Sequence, residues 1–410
     1  MDKLKKLILL SGSYPYNNVF LDIEEEYFPK DVPIDVIPWQ YDDRHSAHSL
    51  PENAVLSDLL WRPMPLALHL LYMTGELFSP RFRDDIARYR REGRLSLRCF
   101  AKALSYCAYS SWMFRLLEKK YRAELISEPE ELVFYSFWLL HSASAAARLR
   151  EKYGCHAVAR ANGGDLFEER SDCGRLPLRV YTIKNHDFIS ACSKDGQDYM
   201  IKKYGCGDIT QAYLGTADYG ARSIAPFSGR RSFVIVSCSN IIPLKRVELI
   251  AEALALIGGE EIDWHHFGSG ELFDSVAEKA SRLPPNVHAH LEGRLPHDKL
   301  IEWYATHDVH LFVSASTTET TPVSIMEALS FGIPVVATAA GGSGEAVKET
   351  HGTCIPIDID AGQLARAIER FMHMDESEYM TFRANARAFW GSSFDAARNY
   401  AAFYDRLRRL

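Results

Sequence analysis

The chain has 410 residues, 47% of them hydrophobic and 25% charged, which suits about two packed domains and leaves little room for long disorder. A formal net charge of -7 and a pI near 6.1 provide no global positive field for phosphates, so nucleic acid is excluded as an expected partner. Eight scattered cysteines without a CxxC pair read as reduced, buried thiols.

The first predicted element is a buried strand at Leu7 to Leu10. Its apolar run is too short for a secretion signal, and Ser11, Gly12 and Ser13 lead into Tyr14-Pro15 where a cleavage site would stand. Small residues after this strand, Gly12 in particular, let a backbone approach a ligand closely. A second strand is predicted at Ile34 to Ile37, followed by an aromatic-rich helical region over about 60–125. Strands at Leu132 to Tyr135, His156 to Ala159 and Phe188 to Ala191 complete a first doubly wound sheet. Inside the helical region Arg81, Arg83, Arg88, Arg90, Arg91, Arg94 and Arg98 alternate with apolar residues. The stretch 81–98 reads as a solvated helix face, with peripheral contact to an anionic membrane surface as the alternative. No run of 18 apolar residues occurs, so no transmembrane helix is expected and the expected compartment is the cytoplasm, including the inner face of the membrane.

From about residue 230, strands and helices alternate regularly, as in a parallel sheet with covering helices. Strands are expected at Ser232 to Cys238, Ile262 to Phe267, Val287 to Leu291, Val309 to Val313 and Val335 to Ala337. Helices are expected at Val247 to Ile257, Glu271 to Arg282, Asp298 to Thr306 and Val323 to Phe331, and the last segment, Met380 to Leu410, reads as helical. A boundary near Pro226 to Arg231 gives an N-terminal domain over 1–228, a C-terminal domain over 229–385 and a terminal helix over 386–410. Ligands of such sheets sit at the carboxyl ends of the strands.

The most informative segment follows the strand ending at Val313 and reads SASTTETTPVSIMEALSFGIPVVATAAGG. Thr320, Thr321 and Pro322 open a helix whose free amides and positive dipole end suit an electronegative ligand. Glu327, inside that otherwise apolar helix, is costly unless paired. The segment resembles the E-x7-E donor motif of glycosyltransferase family four, with Glu319 and Glu327 as the two glutamates. The resemblance implies a GT-B fold, α/β with two Rossmann-like doubly wound domains facing across a cleft, the first for an acceptor and the second for a nucleotide-sugar donor. It implies that Glu327 holds the ribose, that Glu319 faces the transferred sugar, and that residues between them meet sugar hydroxyls. In Ser237 to Arg246, SCSNIIPLKR, Lys245 stands at the family's diphosphate-binding lysine, where a fixed ammonium stabilises the departing phosphate. The family usually has an arginine five residues earlier, where this chain has Asn240, so the resemblance shifts diphosphate stabilisation onto Lys245, Arg246 or a further group. Thr320 stands where a glycine is common. Gly268 lies in the family's glycine-bearing turn, and Arg294 follows the strand whose backbone meets the base.

In the N-terminal half, Arg160 to Arg170 resembles a segment of bacterial polysaccharide-building members in which a histidine near the reacting sugar occupies the place of Asn162. Asn162 can hydrogen-bond a sugar hydroxyl, and Asp165 and Tyr14 are candidate contacts to the sugar or acceptor. The implied reaction is transfer from a nucleotide diphosphate sugar to a hydroxyl of a glycan or lipid-linked acceptor, with retention and with no metal or bound cofactor, in surface polysaccharide or glycoconjugate synthesis. A sugar-nucleotide epimerase and a non-catalytic nucleotide-sugar-binding subunit are the alternatives. Asp358-Ile359-Asp360 matches a DxD metal motif superficially but reads as a loop and helix cap. His288 and His290 alternate on one strand without a third ligand nearby in sequence.

Overall fold

The computed structural model describes residues 4–14, 19–41, 50–224, 231–320 and 322–410. Most of the expected linker, together with Pro15 and Thr321, lies outside these residues. The chain divides into an N-terminal unit, Met1–Leu214 with Ala397–Leu410, and a C-terminal unit, Gly215–Ala396. Among the described residues no helix is long and apolar enough to cross a membrane.

The N-terminal unit is built on strands β1 (Lys6–Tyr14), β2 (Ile34–Tyr41), β3 (Ala54–Leu56), β4 (Leu132–Ser136), β5 (His156–Ala161), β6 (Phe188–Ala191) and β7 (Ile209–Gln211). Its helices are α1 (Val19–Glu26), α2 (Leu66–Glu76), α3 (Pro80–Arg91), α4 (Leu97–Lys120), α5 (Arg122–Ser127), α6 (His141–Tyr153), α7 (Arg179–Lys184) and α8 (Lys194–Tyr204). The sheet is parallel, in the order β3-β2-β1-β4-β5-β6-β7. Every residue of β4 is buried, as expected for a parallel strand covered on both faces. β1 corrects one expectation. Gly12 and Tyr14, expected in a loop after the strand, lie on it, because β2 runs on and pairs Ser11 with Pro38 and Ser13 with Gln40 after β4 has ended opposite Leu10.

The basic stretch is also only partly solvated. Arg81 reaches Glu76 at 2.8 Å, and Arg88 turns inward to Asp85 at 3.2 Å and Glu168 at 3.5 Å, while Arg83, Arg90 and Arg91 stay exposed. A buried polar network ties the chain end to this unit. The Arg160 guanidinium donates to the Tyr135 hydroxyl at 2.7 Å, and the Tyr135 and Tyr404 hydroxyls donate to Glu24 at 3.0 and 2.9 Å. Phe403, under the Arg160 guanidinium at 4.0 Å, and Tyr404 lie on a terminal helix spanning Ala396–Leu407. Burial raises the Glu24 carboxyl above its usual range, opposed by Arg160 and the two tyrosines.

The C-terminal unit contains β8 (Phe233–Cys238), β9 (Ile262–Phe267), β10 (Val287–Gly293), β11 (Leu311–Ser314), β12 (Val335–Thr338) and β13 (Gly352–Ile355). Helices α9 (Val247–Leu254), α10 (Phe273–Ala280), α11 (His297–Thr306), α12 (Val323–Ser330), α13 (Gly342–Ala346), α14 (Ala361–Met372) and α15 (Glu376–Ser393) join them. The parallel order is β10-β9-β8-β11-β12-β13. In both sheets the chain starts in the middle, builds outward to one side, and returns to the other side of its first strand. The reversal falls between β1 and β4 in one unit and between β8 and β11 in the other, and such switch points are where open α/β sheets hold ligands.

Three buried histidines should cost the fold stability at low pH. His141, His186 and His266 are each held down at about 4, chiefly by burial. Each is neutral when folded, whereas an unfolded histidine binds a proton below about 6.5, so stability is full above that pH and falls as pH drops from 6.5 towards 4. At pH 5 each histidine should cost roughly 2 kcal/mol relative to pH 8. Denaturant titrations across this range should show the fall, and His186→Gln should flatten its slope. An unchanged slope would show that His186 titrates alike in both states.

Candidate active site

In the C-terminal unit the loops after β8 and β11 meet at the switch point. Lys245 ends a short 3-10 turn, Pro243–Lys245, and its ammonium contacts Glu319 Oε1 in the loop after β11. The Ser316 hydroxyl donates to the same carboxylate oxygen at 2.8 Å. The two loops are also joined through the backbone, where Thr317 N–H donates to the Leu244 carbonyl at 2.8 Å. Arg246 adopts a left-handed conformation at φ 47°, a strain of order 1 kcal/mol or more for a non-glycine residue that is characteristic of functional loops. Its Nε donates to the Ala315 carbonyl at 2.7 Å, and burial lowers its pKa. Asn240 is exposed at the start of this loop.

Two glycines allow the surrounding loops to close. A Cβ on Gly268, at φ 148°, would stand 1.8 Å from the Ser239 carbonyl oxygen, so the loop after β9 packs directly on the loop after β8. A Cβ on Gly341, at φ 52°, would stand 2.1 Å from the Glu319 carbonyl oxygen. The Gly342 amide donates to that oxygen at 3.2 Å.

Pro322 precedes α12 and its carbonyl accepts from Ile325 and Met326 at 3.0 and 3.1 Å. Glu327 is 3% exposed, and the partner that its burial demands is His297, whose Nε2 donates to Oε1 at 2.7 Å. His297 opens α11 after Pro296 and is itself 40% exposed on its side chain. The Cys238 thiol, pushed up to about 12 by burial and by the Glu327 charge, remains neutral nearby. Arg294 is exposed in the loop after β10, and Thr320 is half-buried. Thus Lys245, Arg246 and Glu319 are brought together, with Gly268 and Gly341 packed on the backbone of their loops. Gly341 belongs to the Gly-Gly that ends the E-x7-E segment, whereas His297 and Ser316 are additions that the sequence did not single out.

The N-terminal unit gathers a second set at its own switch point. Gly12 lies against two indoles: a Cβ there would meet Trp39 Nε1 at 3.1 Å and Trp138 Nε1 at 3.4 Å. Trp39 also lines a pocket of about 470 Å³ with Trp61, Tyr109, Trp112 and His141. His141 opens α6, stacks on Tyr106 at 4.3 Å, and at about 4 is uncharged at neutral pH. Asn162, beyond β5, donates from its amide to the Phe137 carbonyl at 2.9 Å, while Oδ1 is buried with no partner among the described residues. The Asp165 carboxylate accepts from the backbone of Asn162, Gly163 and Leu139 at 2.9, 2.9 and 2.7 Å. Buried at 1% exposure, it shapes the loop that carries Asn162. Tyr14, at the end of β1, is buried.

Asp360 caps α14, accepting from Gln363 N–H at 2.7 Å while the Gln363 side chain accepts from Asp360 N–H at 3.0 Å. His288 pairs with Glu261 at 2.9 Å. Among the described residues, His265, His290 and Glu292 place possible ligand atoms within 4.8 Å of one another. The two imidazoles are stacked at 4.3 Å and 12°, so their in-plane lone pairs run side by side and do not converge on one ion.

Residues 225–389, the greater part of the C-terminal unit, match the sequence model of the family described as Glycosyl transferases group 1. No curated protein matches the chain by sequence. Among solved structures, the sucrose-phosphate synthase of Thermosynechococcus elongatus is similar with a TM-score of 0.67 at 15% identity, over 99% of this chain and 98% of that one. HepE of Anabaena, solved with UDP and glucose, is similar with a TM-score of 0.65 at 17% identity, over 99% of this chain and 100% of that one. The lipopolysaccharide outer core galactosyltransferase WaaB gives 0.65 at 13% identity, over 98% of this chain and 99% of that one. These likenesses show the fold, α/β with two doubly wound units of the GT-B kind.

Proposed function

We propose that the chain is a retaining, metal-independent glycosyltransferase that takes a sugar from a nucleoside diphosphate through its C-terminal unit and passes it to a hydroxyl of a glycan or lipid-linked acceptor. The observation that carries this reading is the Lys245–Glu319 pair astride the β8/β11 switch point, with the buried Glu327 in α12, the helix that follows the Glu319 loop. The family match over residues 225–389 supports it, as do the UDP and glucose bound by HepE and the lipopolysaccharide chemistry named for WaaB.

In this reading Glu327, held by His297, accepts from the ribose hydroxyls, while Glu319 leaves Lys245 on donor arrival and accepts from the sugar. Lys245 then meets the diphosphate, and Arg246 adds positive charge from beneath the loop, so no divalent cation is required. As the C1–O(phosphate) bond breaks, fixed positive charge stabilises the leaving group without proton transfer. The acceptor oxygen bonds to C1 on the same face and its proton passes to the departing phosphate, so no enzyme carboxylate serves as nucleophile. Asn162 would meet a sugar hydroxyl, with Asp165 and Gly12 shaping the surrounding loops, Tyr14 nearby on β1, and Thr320, Thr321, Pro322 and Arg294 framing the donor. The aromatic pocket of the N-terminal unit would hold the acceptor, since ring faces accept the apolar faces of sugars.

Turnover of nucleotide-sugar donors with candidate acceptors in excess chelator, followed by NMR at the anomeric proton, tests the reading. The expected product retains the donor's anomeric configuration at an undiminished rate. Activity lost in chelator and restored by magnesium or manganese would overturn metal independence. Interconversion of the donor without acceptor would make the chain an epimerase.

A further inference from the structure

Helix α2 is apolar on its outward side as well as on the side that packs against the core. Its inward side carries Leu68, His69, Tyr72, Met73 and Glu76. His69 meets Ser105 at 3.1 Å and the ring of Tyr109 at 4.9 Å, and Glu76 is buried against Ser111 and Arg81. Leu66, Ala67, Leu70, Leu71, Thr74 and Gly75, which share the opposite half of the helix surface, are all exposed, and Leu77 and Phe78 continue that side. Leu66 is 74% exposed, Leu71 65% and Phe78 79%. Single exposed leucines are ordinary, but a whole outward helix face without one charged side chain marks an interaction surface.

Charge identifies what covers it. Residues 62–98 hold eight arginines against four acidic residues, in a chain whose net charge is -7. On α3, the next helix, the exposed residues are three arginines, Arg83, Arg90 and Arg91, with Ala87, Pro80 and a single acid, Asp84. An exposed face of leucines and a phenylalanine, followed directly in the chain by a helix with exposed arginines, combines the apolar and cationic groups that a lipid interface binds. A partner surface of leucines would account for the apolar face but not for the excess of arginine.

We infer that α2 and the exposed arginines of α3 dock the protein on the surface of an anionic lipid bilayer, with the α2 leucines and Phe78 entering the headgroup region. The docking does not depend on the reaction proposed above. The two fit together, because Arg62, Pro63 and Met64, which line the aromatic pocket, directly precede Pro65 at the start of α2. An acceptor anchored in the same bilayer would therefore be presented next to the pocket.

The full chain should co-sediment with vesicles of phosphatidylcholine and phosphatidylglycerol, and only weakly with phosphatidylcholine alone. Partition should fall with salt. Leu70→Ser/Leu71→Ser/Phe78→Ser and, separately, Arg83→Glu/Arg90→Glu/Arg91→Glu should each weaken partition about tenfold or more, with unchanged thermal melting because the altered side chains are exposed. Equal binding by wild type and both variants, or no binding to anionic vesicles, would overturn the inference. So would a dimer in sedimentation velocity that the serine variant dissociates, since a second copy would then cover the face.

Discussion

Replacing Lys245 by alanine should lower kcat by about 10²–10³-fold with saturating donor, near or above the top of that range. Removing one electrostatic group from a transition-state site typically costs this much. Two local features push the effect upward. Asn240 brings no charge to share the load, and without Lys245 the Glu319 carboxylate, its partner before the donor arrives, keeps only the Ser316 hydroxyl. Asn240 is exposed, which gives a longer side chain room, and Asn240→Arg should therefore restore part of the loss. The interaction energy of the Lys245→Ala/Asn240→Arg cycle, measured on kcat, is the informative quantity. A Lys245→Ala enzyme that keeps most of its activity would place the diphosphate elsewhere.

Glu327→Ala should weaken binding of the bare nucleoside diphosphate by about 10- to 100-fold, the usual worth of charged hydrogen bonds such as those proposed to the ribose. The same substitution leaves His297 without its carboxylate partner. Glu319→Ala should weaken the sugar-bearing donor and leave the bare nucleotide almost unaffected. Calorimetry with both ligands separates the two roles, and mutants that behaved alike would show the assignments to be wrong.

The C-terminal unit was largely legible because its strands are short apolar runs punctuated by helical periodicity. The strand Ile262–Phe267 has the same bounds in expectation and structure. β3 and β7 escaped notice because three residues display no period. β13, four residues beginning with Gly352, resembles a turn. The loop after β8 and the E-x7-E segment could be found because each lies in one continuous stretch. The bond between them joins residues 74 positions apart, and the His297–Glu327 pair joins residues 30 apart. Neither has a local signature, although the isolated carboxylate in α12 announced that a partner was required. The aromatic pocket is harder still, since Trp39, Trp61, Trp112 and His141 are assembled from separate elements. The outward leucines of α2 have ordinary helical spacing, and only the folded structure shows which way they face.

The most direct test of the central claim is a thermal-shift series on the full chain with UDP-, GDP-, ADP- and TDP-sugars, repeated with Glu327→Ala. A ligand that binds only the folded state raises the melting temperature in proportion to the logarithm of its concentration above Kd. One base should raise it in the wild type without added metal, with the shift reduced or abolished in Glu327→Ala. Failure of every nucleotide sugar to shift the wild type, or an equal shift in the variant, would contradict a donor site built on Glu327, Glu319 and Lys245.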